Sequence, residues 1–546
     1  MRTIFFTLFL LALAFHSSWA GAKWYVSPSG NDNHAGTLAA PFKSLTKAID
    51  AAAPGDTIEL RGGQYVSTEI RINKSNLTIR SYAGEWAVIR AVTNVEDISS
   101  CIWYNEPETV GGTLERLEII GGYYYGLKFE TNWDWDYSVP FAKRKGVSHV
   151  TVRNCIIHDT GRDAIKLTPA CKGIQILQCE IYNTGKGPGA LLDFNAEGID
   201  NVNAPDMLVK GCYIHDIATT GVYAKGGARN CRIEGNVIAN CGEGGIYLGF
   251  YTDAEWFDTQ SNPEYHESLD GLVLNNLIMN TGHAGIGLWG AKNAQIYHNT
   301  VINGAKAEMA SLFLNTGDVW LSNTRSARPR NQGAKIFNNI FIQAAGQSQP
   351  VCRIRENAGS KSNTLDYNAY FRTGTPPVFL NDSITWEDLS LSQWKTQNGT
   401  DTHSLGADPK VDANGRLLGD SPCINSATAI ALVTHDREGG LRDNRPDIGA
   451  DEFGVVSGLS PVFGSLGAHV HIRQNPVQDN TLRLEVQLPQ AVQTMIQIIS
   501  ASGQVLLQKH INFDKGEQTL DWLLTGLPPG AYWVKVAGAS RLFLKP

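Results

Sequence analysis

The sequence predicts an all-β chain, a right-handed parallel β-helix (solenoid) followed by a small C-terminal β-sandwich. Three observations predict it: two polar columns that recur at one period, short β-branched segments between glycine-containing bends, and a C-terminal stretch of alternating strands. No helical periodicity recurs in the repeat, which excludes ankyrin and tetratricopeptide arrays. With 42% apolar and 18% charged residues, the 546-residue chain can bury a large core and is not intrinsically disordered.

The first polar column sets the repeat. Its members recur every 23 or 24 residues, with insertions that lengthen some intervals. They are Cys155, Cys179, Cys212, Asn236, Asn276, Asn299 and Asn339. Equivalent residues stack from coil to coil in a parallel β-helix, where a coil is one turn of the solenoid. We therefore predict that Cys155, Cys179 and Cys212 are buried, stacked and free of disulfide bonds.

A second polar column lies four residues beyond the first. It consists of Asp159, Asn183, Asp216, Asn240, Asn280 and Asn303, and Gln343 breaks it. His158-Asp159 and His215-Asp216 look like catalytic pairs, but other coils carry Tyr182-Asn183 and Ala239-Asn240 at the same positions. We interpret this column as structural too, with buried polar side chains that are hydrogen-bonded along the solenoid.

Another strand begins about eleven residues after most members of the first column. If Ile165 and Leu167 point into the coil, the alternation of a strand points Lys166 outward. The predicted outward column is then Lys128, Lys166, Asp200, Tyr223, Tyr247 and Gly287, with Lys225 two residues further along the same face. Coils stack about 4.8 Å apart, so these side chains are predicted to lie within reach of one sugar subsite.

Insertions flank this face. Residues 130–145, 250–268 and 315–333 follow the strand, and residues 187–196 precede it, so the loops are predicted to form a groove. Aromatic faces can stack on sugar rings, and arginine forks match carboxylates. The candidate substrate-binding residues on the loops are Trp133, Trp135, Trp256, Arg325 and Arg328, which join Lys128 and Asp200 on the strands.

The N-terminal motif Trp24-Tyr25-Val26-Ser27-Pro28-Ser29-Gly30-Asn31-Asp32, with Gly55-Asp56-Thr57-Ile58, resembles that of secreted pectate-lyase-like β-helix proteins, including family 9 polysaccharide lyases. The resemblance implies a short capping helix from Leu45 to Ala52. It also implies cleavage of a uronic-acid-containing polysaccharide, of pectate or alginate type, by β-elimination with a lysine base. In this sequence the base is then Lys166 or Lys225, and Tyr223 or Tyr247 could donate to the leaving oxygen.

Metal dependence and reaction class stay open at this point. Many pectate lyases on this fold bind calcium through a tight aspartate cluster, whereas Asp163, Glu197 and Asp200 are sparse in this sequence and depart from that pattern. The sequence identifies no definite cofactor, and Ca²⁺ is the one that these carboxylates could bind. The alternatives are a glycoside hydrolase that uses these residues as paired carboxylates, and a non-catalytic, cell-surface glycan-binding adhesin.

The C-terminal region resembles a different family. Gln474-Asn475-Pro476-Val477, Ala501-Ser502-Gly503 and Leu527-Pro528-Pro529-Gly530-Ala531-Tyr532 resemble the sorting domain of the type IX secretion system of Bacteroidota. The resemblance implies the type IX machinery as a partner. We divide the chain into a signal peptide (1–20), a β-helix domain (21–453), a linker (454–467) and a sorting domain (468–546).

The termini and the charge predict the location and the partners. Arg2, an apolar run and Ser18-Trp19-Ala20 are typical of a secretory signal, and later segments are too short or too polar to span a membrane. We expect an extracellular or cell-surface monomer. The formal net charge of −7 disfavours nucleic acid as a partner. An acidic polysaccharide would need a local basic patch.

Overall fold

The computed structural model describes residues 21–455 except 135–137, 191–194, 323–324, 356–357 and 360–361, and residues 469–545 except 474–476, 489–491, 501–504, 515 and 537–538. The predicted signal peptide, most of the predicted linker, Trp135, and the motif residues Gln474 to Pro476 and Ala501 to Gly503 lie outside the described residues.

Three long sheets, named A, B and C, run along the solenoid and confirm the predicted β-helix. Sheet A contains Lys23–Val26, Thr57–Leu60, Thr78–Ser81, Thr113–Glu115, Thr151–Arg153, Gln175–Leu177, Leu208–Lys210, Arg232–Glu234, Leu272–Leu274, Gln295–Tyr297, Lys335–Phe337 and Thr364–Asp366. Sheet B contains Gly63–Val66, Ala87–Arg90, Leu117–Ile120, Ile156–His158, Glu180–Tyr182, Tyr213–Ile217, Val237–Cys241, Leu277–Thr281, Thr300–Ile302, Ile340–Gln343 and Ala369–Arg372. Sheet C contains Ile70–Ile72, Ser100–Tyr104, Tyr125–Phe129, Ile165–Leu167, Ile199–Val202, Val222–Lys225, Ile246–Leu248, Ile286–Trp289, Leu312–Asn315, Cys352–Ile354, Phe379–Asn381 and Thr385–Leu389.

Each end of the solenoid is covered by a short α-helix. Helix α1 (Leu45–Ala51) begins at Ser44, whose Oγ accepts a hydrogen bond from Lys47 N at 3.2 Å, and it buries Leu45, Ala48 and Ile49. The predicted capping helix is thus confirmed. Helix α2 (Leu391–Asn398) follows the last coil and buries Trp394. Both helices remove open sheet ends from water, where unpaired strands would invite aggregation.

Smaller elements belong to the loops. They are two 3₁₀ turns (Phe141–Lys143 and Ala254–Trp256), a three-stranded sheet (Ala228–Arg229, Ser268–Leu269 and Ala291–Lys292) and a hairpin (Val319–Ser322 and Arg325–Ala327). The hairpin packs through Val319 against Ala254 and Phe257, so the loops after different strands of sheet C support one another.

The first polar column forms a continuous ladder inside the bend between sheets A and B. Asn236, Asn276 and Asn299 each donate from Nδ2 to the Oδ1 of the next asparagine at 2.9 Å, and Asn339 donates to Asn368 at 3.0 Å. The sequence alignment missed Asn368. The nine cysteines are buried and free, as predicted for those at ladder positions. From Asn236 to Asn339, each buried amide is therefore hydrogen-bonded to the amide of the next coil.

The second column also stacks, but at the surface, which corrects the expectation of burial. Its members have φ between +51° and +58°, the left-handed region that asparagine and aspartate tolerate best. Asn240 donates to Asp216 at 3.1 Å and Asn280 donates to Asn240 at 3.2 Å. The conformation of this bend therefore explains the residue type. Gln343 breaks the column because it lies within a strand of sheet B.

His158 and His215 are structural in this fold, as the sequence predicted. Their rings sandwich Tyr182, with centroids 4.6 and 4.9 Å away and nearly parallel planes. Burial opposes protonation of His158, but hydrogen bonds with Asp159 and Glu118 outweigh it and raise its pKa to about 9. Both imidazoles thus belong to a stacked ladder on the outer face of sheet B.

Residues 401–455 form a loop-rich strap along the solenoid. Ile448 and Cys423 pack against Ile340, and Asn338 donates to Thr428 O at 2.8 Å. Within the strap, Arg442 and Glu452 form a buried ion pair at 2.9 Å. These contacts make the strap part of the β-helix domain.

The C-terminal strands build a separate core. One sheet contains His469–Ile472, Thr481–Leu488 and Gly516–Leu523; the other contains Val505–Phe513, Val492–Ser500, Gly530–Val536 and Ala539–Lys545. All pairings are antiparallel, and residues such as Leu484, Ile498 and Val534 share one apolar cluster. Among the described residues, no helix has the length and apolar character needed to cross a membrane.

Candidate active site

The outward column on sheet C is present with the predicted register. Lys166 pairs with Lys128 on one side and Asp200 on the other, and Asp200 pairs with Tyr223 on the following coil. Ile165 and Leu167 are fully buried inside the solenoid, so the side chain between them points outward. The alternation in the sequence was thus sufficient to identify this face.

Three carboxylates lie together at this face. Asp163 and Glu197 occupy equivalent positions just before two adjacent strands, since Ala164 N donates to Glu197 O at 2.9 Å. Asp200 lies three residues after Glu197. One carboxylate oxygen from each residue lies within 4.8 Å of the others. Residues that are sparse in the sequence therefore form a tight group because consecutive coils stack.

The cluster has polar partners but too few to satisfy it. Lys166 Nζ donates to Asp200 Oδ2, and Lys225 Nζ lies 3.4 Å from Asp200 Oδ1. Thr219 Oγ1 donates to Glu197 Oε1 at 3.1 Å. Asp163 Oδ2, Glu197 Oε2 and Asp200 Oδ1 are buried and accept no hydrogen bond, although Asp200 Oδ1 keeps its 3.4 Å ion pair with Lys225. Orphaned buried carboxylate oxygens are costly, and their convergence is unusual for a purely structural cluster.

The pKa values of Glu197 and Asp200 are shifted in opposite directions. Burial, together with the charges of Asp163 and Asp200, raises the pKa of Glu197 well above its ordinary value. Burial opposes ionisation of Asp200 as well, but Lys166 and Lys225 outweigh it and lower its pKa to about 2. Burial likewise opposes protonation of Lys166, yet Asp200 outweighs it and raises the lysine's pKa.

A divalent cation fits this donor set. The three orphaned atoms are carboxylate oxygens, the ligands that hard cations such as Ca²⁺ prefer. A bound cation would compensate the repulsion that now raises the pKa of Glu197. The three carboxylates therefore differ from the aspartate cluster of calcium-binding pectate lyases in their sequence spacing, but they offer the same kind of oxygen ligand.

Tyr223 and Tyr247 are on the outward face as predicted, but they are buried there. Their exposed fractions are 1% and 0%. Thr220 Oγ1 donates to the Tyr223 hydroxyl, and the Tyr247 hydroxyl faces Met309 Sδ at 3.7 Å. Loop residues cover both rings, so neither hydroxyl is placed to protonate a leaving oxygen. The sequence pattern could not anticipate this cover.

The predicted aromatic ligands of the first two loops are mostly packed. Trp133 is buried, donates from Nε1 to Glu255 O at 2.8 Å, and lies under Arg144. It therefore joins the two loops and does not face a ligand. Trp256 is half-buried, and its backbone oxygen accepts from Asn203. Lys128 is paired with Glu130 at 2.8 Å beside Trp103.

Arg325 and Arg328 are exposed on or beside the hairpin that follows strand Leu312–Asn315. This strand lies five positions beyond Ile165–Leu167 in sheet C. At about 4.8 Å per coil, the hairpin begins about 24 Å along the solenoid from Lys166. The structure therefore does not bring these arginines to the carboxylate cluster.

Sequence reasoning missed two residues around the cluster. Tyr125 lies one coil before Asp163 at the same position, and burial raises its pKa while Lys166 lowers it. Glu267 is fully buried; its Oε2 accepts from Gly226 N and Thr252 Oγ1, both at 2.8 Å. Glu267 thus fixes the turn after Lys225 to the loop beside it. Tyr125 could have been found from its coil position, whereas Glu267 follows no period.

Two protein-family models and a solved structure match parts of this chain. The family described as "Pel9A-like, right handed beta helix region" matches residues 24–201, and the family described as "Right handed beta helix region" matches residues 144–374. A solved structure, "Crystal structure of pectate lyase Pel9A", shares 16% identity with a TM-score of 0.43 and covers 79% of this chain and 96% of its own.

Two curated relatives match shorter segments. "Pectate lyase PEL9" of Emericella nidulans is 46% identical over 74 residues, which are 12% of this chain and 18% of the relative. "Uncharacterized protein YwoF" of Bacillus subtilis is 31% identical over 109 residues, 18% of this chain and 23% of the relative. The matches thus span less than a quarter of either relative. Together the two family matches cover residues 24–374 with right-handed β-helix regions, and the match is Pel9A-like in residues 24–201.

Proposed function

We propose that this protein is an extracellular enzyme that cleaves a uronic-acid-containing polysaccharide, of pectate or alginate type, by β-elimination. The observation that carries the proposal is the cluster of three buried carboxylates beside two lysines on the outward face of sheet C. The Pel9A-like match supports it, because residues 24–201 include Asp163, Lys166, Glu197 and Asp200. The predicted signal peptide and sorting domain would export the enzyme through the type IX system.

Elimination needs a base for the C5 proton of the uronate. The C5–H bond breaks as the base takes the proton, its electron pair forms the C4–C5 double bond, and the C4–O4 bond breaks with departure of the leaving sugar. Positive charge near the uronate carboxylate makes C5 more acidic. The lysines of the cluster can supply both the base and that charge.

The contacts divide these roles between the two lysines. Lys166 is hydrogen-bonded to Asp200, which raises its pKa and keeps it an ammonium that can attract the substrate carboxylate. Lys225 has the longer contact with Asp200, and its Nζ lies 4.3 Å from the centroid of the Tyr223 ring. Because it is held less tightly, and because its side chain is still 10% exposed whereas Tyr223 on the same strand is 1% exposed, we assign Lys225 as the base. Since Tyr223 and Tyr247 are covered, the departing oxygen takes its proton from water.

Asp163, Glu197 and Asp200 would hold Ca²⁺ through their orphaned oxygens. When bound, this ion would neutralise the uronate carboxylate and so acidify C5. Engaging Asp200 with a cation would also weaken its hold on Lys166 and Lys225, which favours loss of a proton from lysine.

The test follows ultraviolet absorbance during incubation with pectate, alginate, rhamnogalacturonan and glycosaminoglycans, with Ca²⁺ or with chelator, because only elimination creates an unsaturated uronate. Lys225→Ala should lower turnover about a hundredfold or more on the substrate that responds. Lys210→Ala is the matched control, since Lys210 is an exposed lysine on sheet A. Full activity in Lys225→Ala would refute the assignment of Lys225 as the base, and full activity in Lys166→Ala as well would exclude both lysines of the cluster.

A glycoside hydrolase is the second candidate, favoured by one observation. The pKa values of Glu197 and Asp200 are shifted in opposite directions, as required of a carboxylic acid and a carboxylate that act as a pair. Release of reducing sugar without a rise in absorbance would favour it. Binding to a polysaccharide without cleavage would favour the adhesin alternative.

A further inference from the structure

We infer that this protein degrades its polysaccharide from a chain end, because the outward face of sheet C is open on one side of the lysine–carboxylate cluster and closed on the other. The inference rests on the proposed function. The open side is toward the N-terminal coils and the closed side toward the C-terminal coils. Both sides belong to one column of register-paired side chains, so they can be compared position by position.

On the open side the column consists of Arg71, Trp103, Lys128 and Lys166. The side chains of Arg71, Lys128 and Lys166 are 61%, 20% and 16% exposed. Trp103 lies between two of these cations: the centroid of its ring is 5.1 Å from Arg71 Cζ and 4.7 Å from Lys128 Nζ. Glu69 and Glu130 now pair with these cations, and uronate carboxylates can take their place. This side therefore suits a bound acidic chain.

On the closed side the same column is covered from the first coil beyond Asp200. Tyr223, Tyr247 and Phe313 are at most 2% exposed. Gly287, which lies between the latter two, has no side chain of its own, and the ring of Trp289 occupies the space where one would be. Phe250 stacks on Tyr223 with ring centroids 5.3 Å apart. We call this group the aromatic wall: Tyr223, Tyr247, Trp289, Phe313, Phe250 and Met309.

The loop that bears Phe250 is pinned at several points. Glu267 joins it to the turn after Lys225, Trp133 binds Glu255 O, and the hairpin packs on Phe257. These contacts involve Glu255 and Phe257 in the first half of residues 250–268 and Glu267 at the end. The wall is therefore a fixed part of the fold with a buried apolar interior, and a polysaccharide chain would have to displace that interior to pass.

The wall limits how a polysaccharide can lie across the cluster. A chain that follows the column can cover several N-terminal coils, but beyond Asp200 it meets Tyr223 after one coil, about 4.8 Å. That leaves room for about one sugar unit, whose length is close to one coil spacing. A chain that continues in both directions does not fit, whereas a chain end does. The products should then be short and of one uniform length.

The experiment compares viscosity with absorbance, using the full-length protein and whichever uronate polymer responds. For the wild type we expect absorbance to rise while viscosity falls little, and short products of one length from the start. Phe250→Ala combined with Met309→Ala should open the wall and widen the range of product lengths. Trp386→Ala is the control, because Trp386 is an exposed aromatic residue far along sheet C.

The possible outcomes test the chain-end inference separately from the proposed lyase activity. A rapid loss of viscosity with products of many lengths in the wild type would overturn the chain-end inference and leave the lyase proposal intact. Absence of any absorbance change with all the polymers would overturn both. An unchanged product pattern in the Phe250 and Met309 double variant would contradict the role of the wall.

Discussion

The asparagine ladder and the carboxylate cluster are both stacks of polar side chains at coil spacing, but they differ in how well they are satisfied. In the ladder, Asn276 Oδ1 accepts from the backbone and side-chain nitrogens of Asn236, and Asn276 Nδ2 donates to Asn299 and to Ile233 O. In the cluster, each of the three carboxylates keeps one buried oxygen that accepts no hydrogen bond. The ladder is complete by itself, whereas the cluster is complete only with a further positive group.

This difference distinguishes the repeated polar residues that stabilise the fold from those that act in the candidate site. Complete pairing stabilises a solenoid because every coil finishes the hydrogen bonds of its neighbour. Incomplete pairing costs free energy that folding alone does not recover. A residue of the first kind should therefore matter for stability, and a residue of the second kind for activity.

The largest expected effect is that of replacing Glu197. Glu197→Gln should lower lyase activity about a hundredfold or more and abolish the rise in melting temperature that we expect Ca²⁺ to give the wild type. Without metal the variant should melt at a higher temperature than the wild type, because burial beside Asp163 and Asp200 disfavours a charge at this position. Differential scanning calorimetry with Ca²⁺ and with chelator tests this. Retention of both the activity and the Ca²⁺ shift would contradict the metal site.

Asn276→Ala should break the ladder and leave the cluster intact. It removes the acceptor for two Asn236 donors, so we expect the free energy of unfolding, measured with denaturant, to fall by about 3 kcal/mol. Asn280→Gly is the control on the surface column, since glycine tolerates the φ of +56° found there and only the side-chain contacts with Asn240 and Asn303 are lost. A similar loss in both variants would mean that burial does not distinguish the two columns.

Glu267 allows a test by pH. Burial raises its pKa to about 8, so the folded state holds a proton that the unfolded state releases above its ordinary pKa of 4.5. Stability should therefore fall as pH rises from about 4.5 to 8 and then level off. Glu267→Gln should remove this contribution and be more stable than the wild type at pH 9, on the order of a few kcal/mol, with little difference at pH 4. Parallel pH profiles of the two proteins would show that Glu267 does not titrate there.

The smallest expected effect is that of shortening the chain. A chain ending at Phe453 keeps the three sheets and most of the strap, while residues 469–545 have a core of their own. We expect its melting temperature and its activity to match those of the corresponding domain in the full chain. Loss of folding or activity would show that the C-terminal residues contribute to the β-helix.

The sequence by itself determined the features that repeat. The period of 23 or 24 residues identified the solenoid, the column of Asn276 and the outward position of Lys166, because each coil imposes the same packing on the same position. Only the tertiary structure decided the features of the insertions. It buried Tyr223 and Tyr247 beneath Phe250 and Met309, and it packed Trp133 against another loop. It also joined Asp163 to Glu197 across 34 residues. These contacts follow no period, because they depend on how loops from different coils fold over one face.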